Sequence, residues 1–187
     1  FGQFNFESEI MQDQNIRKAI EMGIDKEGFC SVIMEGRGLP AKAAFPDSFS
    51  YGNEAVETVS YDPEGAKKLL EESGWKDTDG DGYADKDGQK LTIDWLTYPT
   101  RLEQPKLAEY AQATLKEIGI DVVVNNTSDH MTYAADGNFD VYVSSTTTAP
   151  TGDPEYFFTT CCLEQSAANN GHYRNDRMEE LAKELSG

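Results

Sequence analysis

The sequence predicts an α/β fold, and three observations carry that reading. Residues 91–98 place Leu91, Ile93, Trp95 and Thr97 on one side of a strand, and residues 102–118 follow with Leu107, Ala108, Ala111, Leu115 and Ile118 at helical spacing. After Gly119 comes an apolar strand over 120–125, so strand, helix and strand form a βαβ unit with parallel strands and a right-handed crossover. Second, Asp62-Pro63 and Asp153-Pro154 each pair an N-cap carboxylate with a proline suited to the first helical turn. Third, 187 residues with 38% hydrophobic and 11% aromatic content can bury one core in one domain.

Taken in order, Gly2 to Phe6 reads as a short strand with Phe4 and Phe6 on one face. Asp13 caps a helix over 14–22 that turns Ile16, Ala19, Ile20 and Gly23 inward. Asp25 caps a second helix over 26–35, with Phe29, Val32 and Ile33 inward and Gly36 closing it. Residues 37–59 lack a period and read as an ordered loop packed on the core. The Asp62-Pro63 helix runs to Gly74 on Ala66, Leu69 and Leu70, and Pro105 fits only the first turn of the 102–118 helix. A short helix over 128–136, a strand over 139–145, the Asp153-Pro154 helix and a charged helix over 175–185 complete the chain.

Charge narrows the function. Thirty-four acidic against sixteen basic residues give a net charge of -18, the wrong sign for a phosphate backbone or an anionic bilayer, so no nucleic-acid partner is expected. The apolar content is too high for a disordered acidic chain, and no run of eighteen apolar residues or secretory h-region occurs. Cys161 and Cys162 have Cα atoms ~3.8 Å apart, inside the ~4.4 Å at which disulfides begin, so a bridge between them would be strained. Three cysteines leave the redox compartment open.

The sharpest local pattern is Asp77-Thr78-Asp79-Gly80-Asp81-Gly82 with Asp85. Carboxylates at loop positions 1, 3, 5 and 9 and glycine at 6 suit a calcium loop, because alternate side chains converge on a hard cation. Position 12, which wants a bidentate Glu, is Gly88. A solvated hairpin is the plain alternative. No G-x-S-x-G elbow, phosphate loop or H-E-x-x-H helix occurs, and Gly36-Arg37-Gly38 follows a helix, so it is no dinucleotide fingerprint. His130 and His172 are the two histidines. Cys161, Cys162 and His172 offer sulfur and imidazole to nickel, zinc or copper, though adjacent cysteines diverge and one of them as a core hydrophobe is the ordinary reading. Ligands in open α/β sheets sit at the carboxyl ends of strands. Tyr98, Arg101, Thr147 and Thr148 occupy such ends and are the expected ligand contacts, Arg101 as partner for an anion or carboxylate.

Read together, these segments resemble a known family. Phe4-Asn5, Asp13 to Ile20 and Gly23-Ile24-Asp25-Lys26 are similar to an ordered block of the family 5 extracellular solute-binding proteins, which serve ABC importers of peptides and nickel. The resemblance continues through Leu39-Pro40-Ala41, Tyr61 to Leu70, Ser73-Gly74-Trp75, Leu115 to Val122, Phe139-Asp140-Val141 and Gly171 to Asn175. It implies a periplasmic-binding-protein-like (type II) lobe, residues 1–187, with a mixed, largely parallel sheet flanked by helices. It also implies the carboxyl-side half of a two-lobed protein that closes on its solute by a hinge. The start at Phe1 fits a piece lacking the amino-terminal lobe and its signal or lipoprotein anchor.

Ala149-Pro150 and Asp153-Pro154 look closer to the nickel-type members. Peptide binders carry an aspartate after this strand, where Thr146 to Ala149 offer none. The resemblance implies His172 as the metal-contacting histidine, with Cys161 and Cys162 as rivals. The expected function is capture of nickel or a nickel chelate, outside the cell membrane, by a monomer that delivers it to a permease, with no catalysis and no required cofactor. An oligopeptide is the alternative solute; a hydrolytic enzyme and a structural calcium-loop module are the alternatives of other classes.

Overall fold

The structure is a computed structural model in which residues 1–51 and 56–185 are described. Its centre is a four-stranded sheet of β1 (Gly2–Phe4), β4 (Thr92–Thr97), β5 (Asp121–Asn126) and β6 (Val141–Val143), in the order β1-β6-β4-β5. β4 runs parallel to both neighbours, with Ile93 beside Val122 and Trp95 beside Val141, and β1 is antiparallel to β6. β2 (Asp85–Lys86) and β3 (Gln89–Lys90) form a separate hairpin at the amino end of β4.

The βαβ unit is where the periodicity puts it. β4 crosses to β5 through α4 (Glu103–Glu117), with Pro105 in its first turn, and Gly119 makes the return at φ 89°. Its carbonyl accepts from Ala84 N–H at 2.7 Å, so the hairpin is tied to the crossover. α1 (Gln14–Gly23) and α3 (Pro63–Glu72) begin at Asp13 and Asp62, whose side chains accept from Asn15 N–H and Gly65 N–H. Together with α4 they bury Ile16, Ile20, Ala66, Leu70, Ala108 and Leu115 against Leu91, Ile93 and Trp95.

The opposite sheet face is covered by α5 (His130–Ala135), where Leu96, Tyr98, Ala134, Phe139 and Tyr142 form a second cluster. β4 is therefore buried on both faces, as a central parallel strand should be. A third cluster joins α6 (Glu155–Cys161) to the 37–51 loop through Phe45, Phe157 and Cys161. That loop packs on this satellite cluster, and residues 52–55 of the expected 37–59 segment lie outside the described residues. α7 (Asp176–Leu185) ends the described chain.

Three local expectations change. The first strand stops at Phe4, because the buried Asn5 side chain donates to the Gly137 and Phe139 carbonyls and turns the chain into a 3-10 turn at Ile10–Gln12. The 26–35 helix is α2 (Lys26–Gly28) followed by a π-helical turn over Phe29–Ile33, with Met34 N–H reaching Phe29 C=O. That wider turn rotates later residues off the helical stripe. Phe29 stays buried while Val32 is 69% exposed, not inward. The strand expected over 139–145 shortens to Val141–Val143, since Asp140 N–H and the Asp140 carboxylate both bond the Asp94 backbone.

Candidate functional site

The carboxyl ends of β4, β5 and β6 open on a recess of about 220 Å³, lined by residues including Tyr98, His130, Tyr142, Ser145, Thr146 and Cys161. Each arrives for a local reason. Tyr98 is the first residue past β4 and Tyr142 the middle of β6, and both point to the α5 face. His130 opens α5 a few residues after β5 ends.

Two aromatic contacts shape the wall. The His130 ring stacks on Tyr98 at 4.2 Å between centroids and 25° between planes, and its Nδ1 lies 2.7 Å from the Tyr142 hydroxyl. Tyr98 is anchored in turn, its hydroxyl accepting from Ser145 N–H at 3.0 Å. Behind it the buried Gln104 donates from Nε2 to Ser145 Oγ at 3.0 Å and accepts from Thr97 Oγ1 at 3.4 Å; the same hydroxyl reaches the Val143 carbonyl at 3.3 Å.

The titrating groups are kept neutral. Burial pushes the His130 imidazole below its usual range, against the opposing pull of Asp129, which favours the neutral ring at pH 7. Burial, with Tyr98 nearby, pushes the Tyr142 phenol up. Burial also raises the Cys161 thiol, and Cys162 is pushed up to about 11 by burial and by Cys161. Both sulfurs are thiols in the free protein.

The expected contacts divide. Tyr98 and Cys161 line the recess. Arg101 and Thr147 are exposed and Thr148 is half-buried, and none of the three lines it. Cys162 belongs to an adjoining apolar cavity of about 180 Å³ with Phe4, Phe6 and Tyr173. His172, at φ 55°, is not among the lining residues, and its Nε2 lies 3.6 Å from Glu7 Oε2. The structure thus brings Tyr98 and Cys161 together, and it adds His130, Met131 and Tyr142. The signal for His130 was present in the chain: the strand-end rule applied to β5, as to β4 and β6, leads to it.

The aspartate-rich turn is at the other end of the sheet. Ligand oxygens of Asp77, Asp79 and Asp85 lie within 4.8 Å of one another. Those carboxylates already accept from loop donors: Asp77 from Gly80 and Gly82 N–H, Asp79 from Asp81 N–H, and Asp85 from the Thr78 amide and hydroxyl. Asp81 turns outward to Lys90 at 3.0 Å, which holds its carboxyl below the usual range. Three convergent carboxylates fall short of the six to eight oxygens that calcium takes.

Residues 1–169 match bacterial extracellular solute-binding proteins, family 5 Middle. The nickel-binding protein NikA of Staphylococcus aureus is 29% identical over 174 residues, which are 92% of this chain and 33% of that protein. The oligopeptide-binding protein AppA of Bacillus subtilis is 35% identical over 121 residues, 64% of this chain and 22% of its own. Among solved structures, S. aureus NikA in complex with Ni(L-His)2 superposes with a TM-score of 0.86 at 27% identity, over 98% of this chain and 37% of that one. B. subtilis AppA in complex with a nonapeptide gives 0.75 at 25% identity, over 98% and 37%. The chain spans a third or less of the length of these two curated relatives. The family match covers residues 1–169 of 187, and the chain belongs to family 5 of the bacterial extracellular solute-binding proteins.

Proposed function

We propose that this chain forms one wall of the solute cleft of a longer, two-lobed protein that captures nickel as a small chelate and hands it to the permease of an ABC importer. It works as a monomer in the periplasm or tethered outside the cell membrane by a lipid anchor. Capture is non-covalent and needs no resident cofactor.

The observation that carries the reading is the recess itself. Its lining includes an imidazole, phenols, hydroxyls and a thiol, and no Asp, Glu, Lys or Arg among the described residues. A wall of this kind suits a compact chelate whose charges are already largely paired, whereas a free peptide amino group calls for a carboxylate. At about 220 Å³ the recess matches a small solute. Arg101 and Thr147 are exposed, and in this reading they meet a chelator's carboxylate or the second lobe. Cys161 lines the same space, and His172 and Cys162 do not.

A second reading, oligopeptide capture, is favoured by the 35% identity with AppA. Calorimetric titration of the complete protein with nickel(II) alone, nickel(II) with two equivalents of L-histidine, and a mixed short-peptide pool tests both. Saturable binding of the chelate supports the nickel reading, binding of peptides alone moves the assignment to peptide capture, and no binding of any of the three refutes solute capture of either kind.

A further inference from the structure

We propose that Met131 is a reversible oxidation site on the recess wall, at which a two-electron oxidant adds an oxygen to the thioether sulfur and that oxygen takes the Tyr142 hydroxyl. The chemistry of the site stands on the geometry of the recess, and its effect on capture rests on the nickel-chelate reading.

Access selects the residue. The chain holds five methionines. Met11 is fully buried, and Met22 on α1, Met34 after the π-helical turn and Met178 on α7 are half-buried. Met131 is 62% exposed although it lines a cavity. A thioether has no proton to lose before it reacts, so exposure alone governs its rate. The thiols differ, because their reactive form is the thiolate and burial holds Cys30, Cys161 and Cys162 away from it. Met131 is therefore the sulfur that a peroxide meets first.

The step closes on hydrogen peroxide. The sulfur lone pair attacks one peroxide oxygen, the O–O bond breaks as the S–O bond forms, and the departing hydroxide leaves as water with the proton of the transferred oxygen. Sulfur loses two electrons and peroxide gains them. Two thiols of a sulfoxide reductase reverse the change, giving a disulfide and water.

The product differs from the thioether at the Tyr142 hydroxyl, which lies 3.9 Å from the sulfur. A thioether is a weak acceptor, and that contact is long. A sulfoxide oxygen is a full acceptor, and the rotatable methionine side chain lets it come within about 3 Å of the phenol. The same hydroxyl lies 2.7 Å from His130 Nδ1, and His130 stacks on Tyr98 at 4.2 Å. Whichever of phenol and imidazole donates in that short contact, the phenol proton gains a new acceptor and the surroundings of the imidazole change. Tyr98, His130, Met131 and Tyr142 all line the recess, so a wall that offers an apolar thioether to the solute offers a polar sulfoxide after oxidation.

The test uses the complete protein without solute, and hydrogen peroxide as oxidant. Mass mapping should show the Met131 peptide gaining oxygen about 10-fold faster than those of Met11, Met22, Met34 and Met178, a ranking lost in denaturing guanidinium. Another of these methionines reacting as fast in the folded protein would overturn the proposal. In protein with nitrogen-15 imidazoles, oxidation should shift the His130 ring signals, leave those of His172 in place, and be undone by a methionine sulfoxide reductase. Unmoved His130 signals with Met131 oxidised would overturn the link to Tyr142, and so would an equal shift in Tyr142→Phe. The wild-type map and spectra decide even if that variant fails to fold. Calorimetry with nickel(II) and two equivalents of L-histidine should show binding about 5-fold weaker after oxidation of wild type, and no change on the same treatment of Met131→Leu. Unchanged wild-type affinity would overturn the effect on capture. No binding by the unoxidised protein would sink the nickel reading, while the map and spectra still decide the oxidation site.

Discussion

The buried amide behind the recess makes a thermodynamic prediction in which the order of deletion matters. Gln104 is 5% exposed and Thr97 fully buried, and they share a hydrogen bond of 3.4 Å. Gln104→Leu removes two hydrogen bonds, each about 1 kcal/mol net. Neither partner is left stranded: Thr97 Oγ1 keeps the Val143 carbonyl at 3.3 Å, and the exposed Ser145 hydroxyl turns to water. The added apolar burial of leucine offsets about 1 kcal/mol, so the net loss is about 1 kcal/mol or less. Thr97→Val is close in shape yet costs more. It leaves the Gln104 Oε1 in the core without a donor, a penalty of about 2 kcal/mol. At about 2–4 °C per kcal/mol for a chain of this size, Tm should fall by about 4–8 °C for Thr97→Val and by less than about 4 °C for Gln104→Leu. The double variant should then be more stable than Thr97→Val alone, because the oxygen that suffers has gone. Urea melts of all four proteins give the coupling, expected at about 1–2 kcal/mol. Additivity within about 0.5 kcal/mol would show that the two side chains do not share a buried bond, and the account of how Ser145 is held would fall with it.

Four other outcomes are expected. Burial and the neighbouring Asp140 raise the Asp94 carboxyl; a raised folded value means stability that is full below the unfolded pKa and is lost as pH rises through the folded one. Asp94→Asn should therefore raise Tm at pH 7 and have no such effect at pH 3, and a gain that persists in acid counts against the repulsion. A Cβ at Gly171 would run into the Phe4 carbonyl, so Gly171→Ala should cost about 2 kcal/mol, and a melt within 1 °C of wild type, by circular dichroism, would show that the β1 flank yields freely. Phe29→Ala should cost about 3 kcal/mol in urea titration while Val32→Ser costs less than about 0.5; equal losses would argue for a regular α-helix there, with both side chains inward. Because Asp77, Asp79 and Asp85 already accept loop N–H groups, a change from 2 mM calcium to excess EGTA should move Tm by less than about 1 °C, and a shift beyond about 5 °C would mean that the turn holds the ion.

Much of the fold is legible in the chain, and the limits have physical causes. The β4-α4-β5 unit shows because one face of each element is apolar at its own period over many residues, and α1 and α3 show because Asp13 and Asp62 announce their first turns. The 26–35 helix misleads because Asp25 caps a real first turn, while the switch to i→i+5 bonding at Phe29 has no compositional mark. The strands at 2–6 and 139–145 shorten because the Asn5 side chain takes backbone groups more than 130 residues away and the Asp140 side chain one 46 residues away, separations that no local window contains. Tyr98 and Cys161 are readable as site residues from strand-end position and from the chemistry of the 159–172 loop. His130 is not set apart by its neighbours, since a histidine after Asp129 at a helix start is ordinary; its character comes from Tyr98 and Tyr142, which converge on it from two other strands.

The tie from Ser145 to Tyr98 and Gln104 bears on how the loop after β6 moves. The loop after β6 is bolted by its main chain to the residue after β4 and by its side chain to the first turn of α4. A loop mounted in this way travels with the βαβ unit as one block. Its conformational entropy is surrendered when the chain folds, so under the proposed function a solute arriving at the recess would meet a surface already ordered, and the ordering left for capture would fall on the rest of the longer protein.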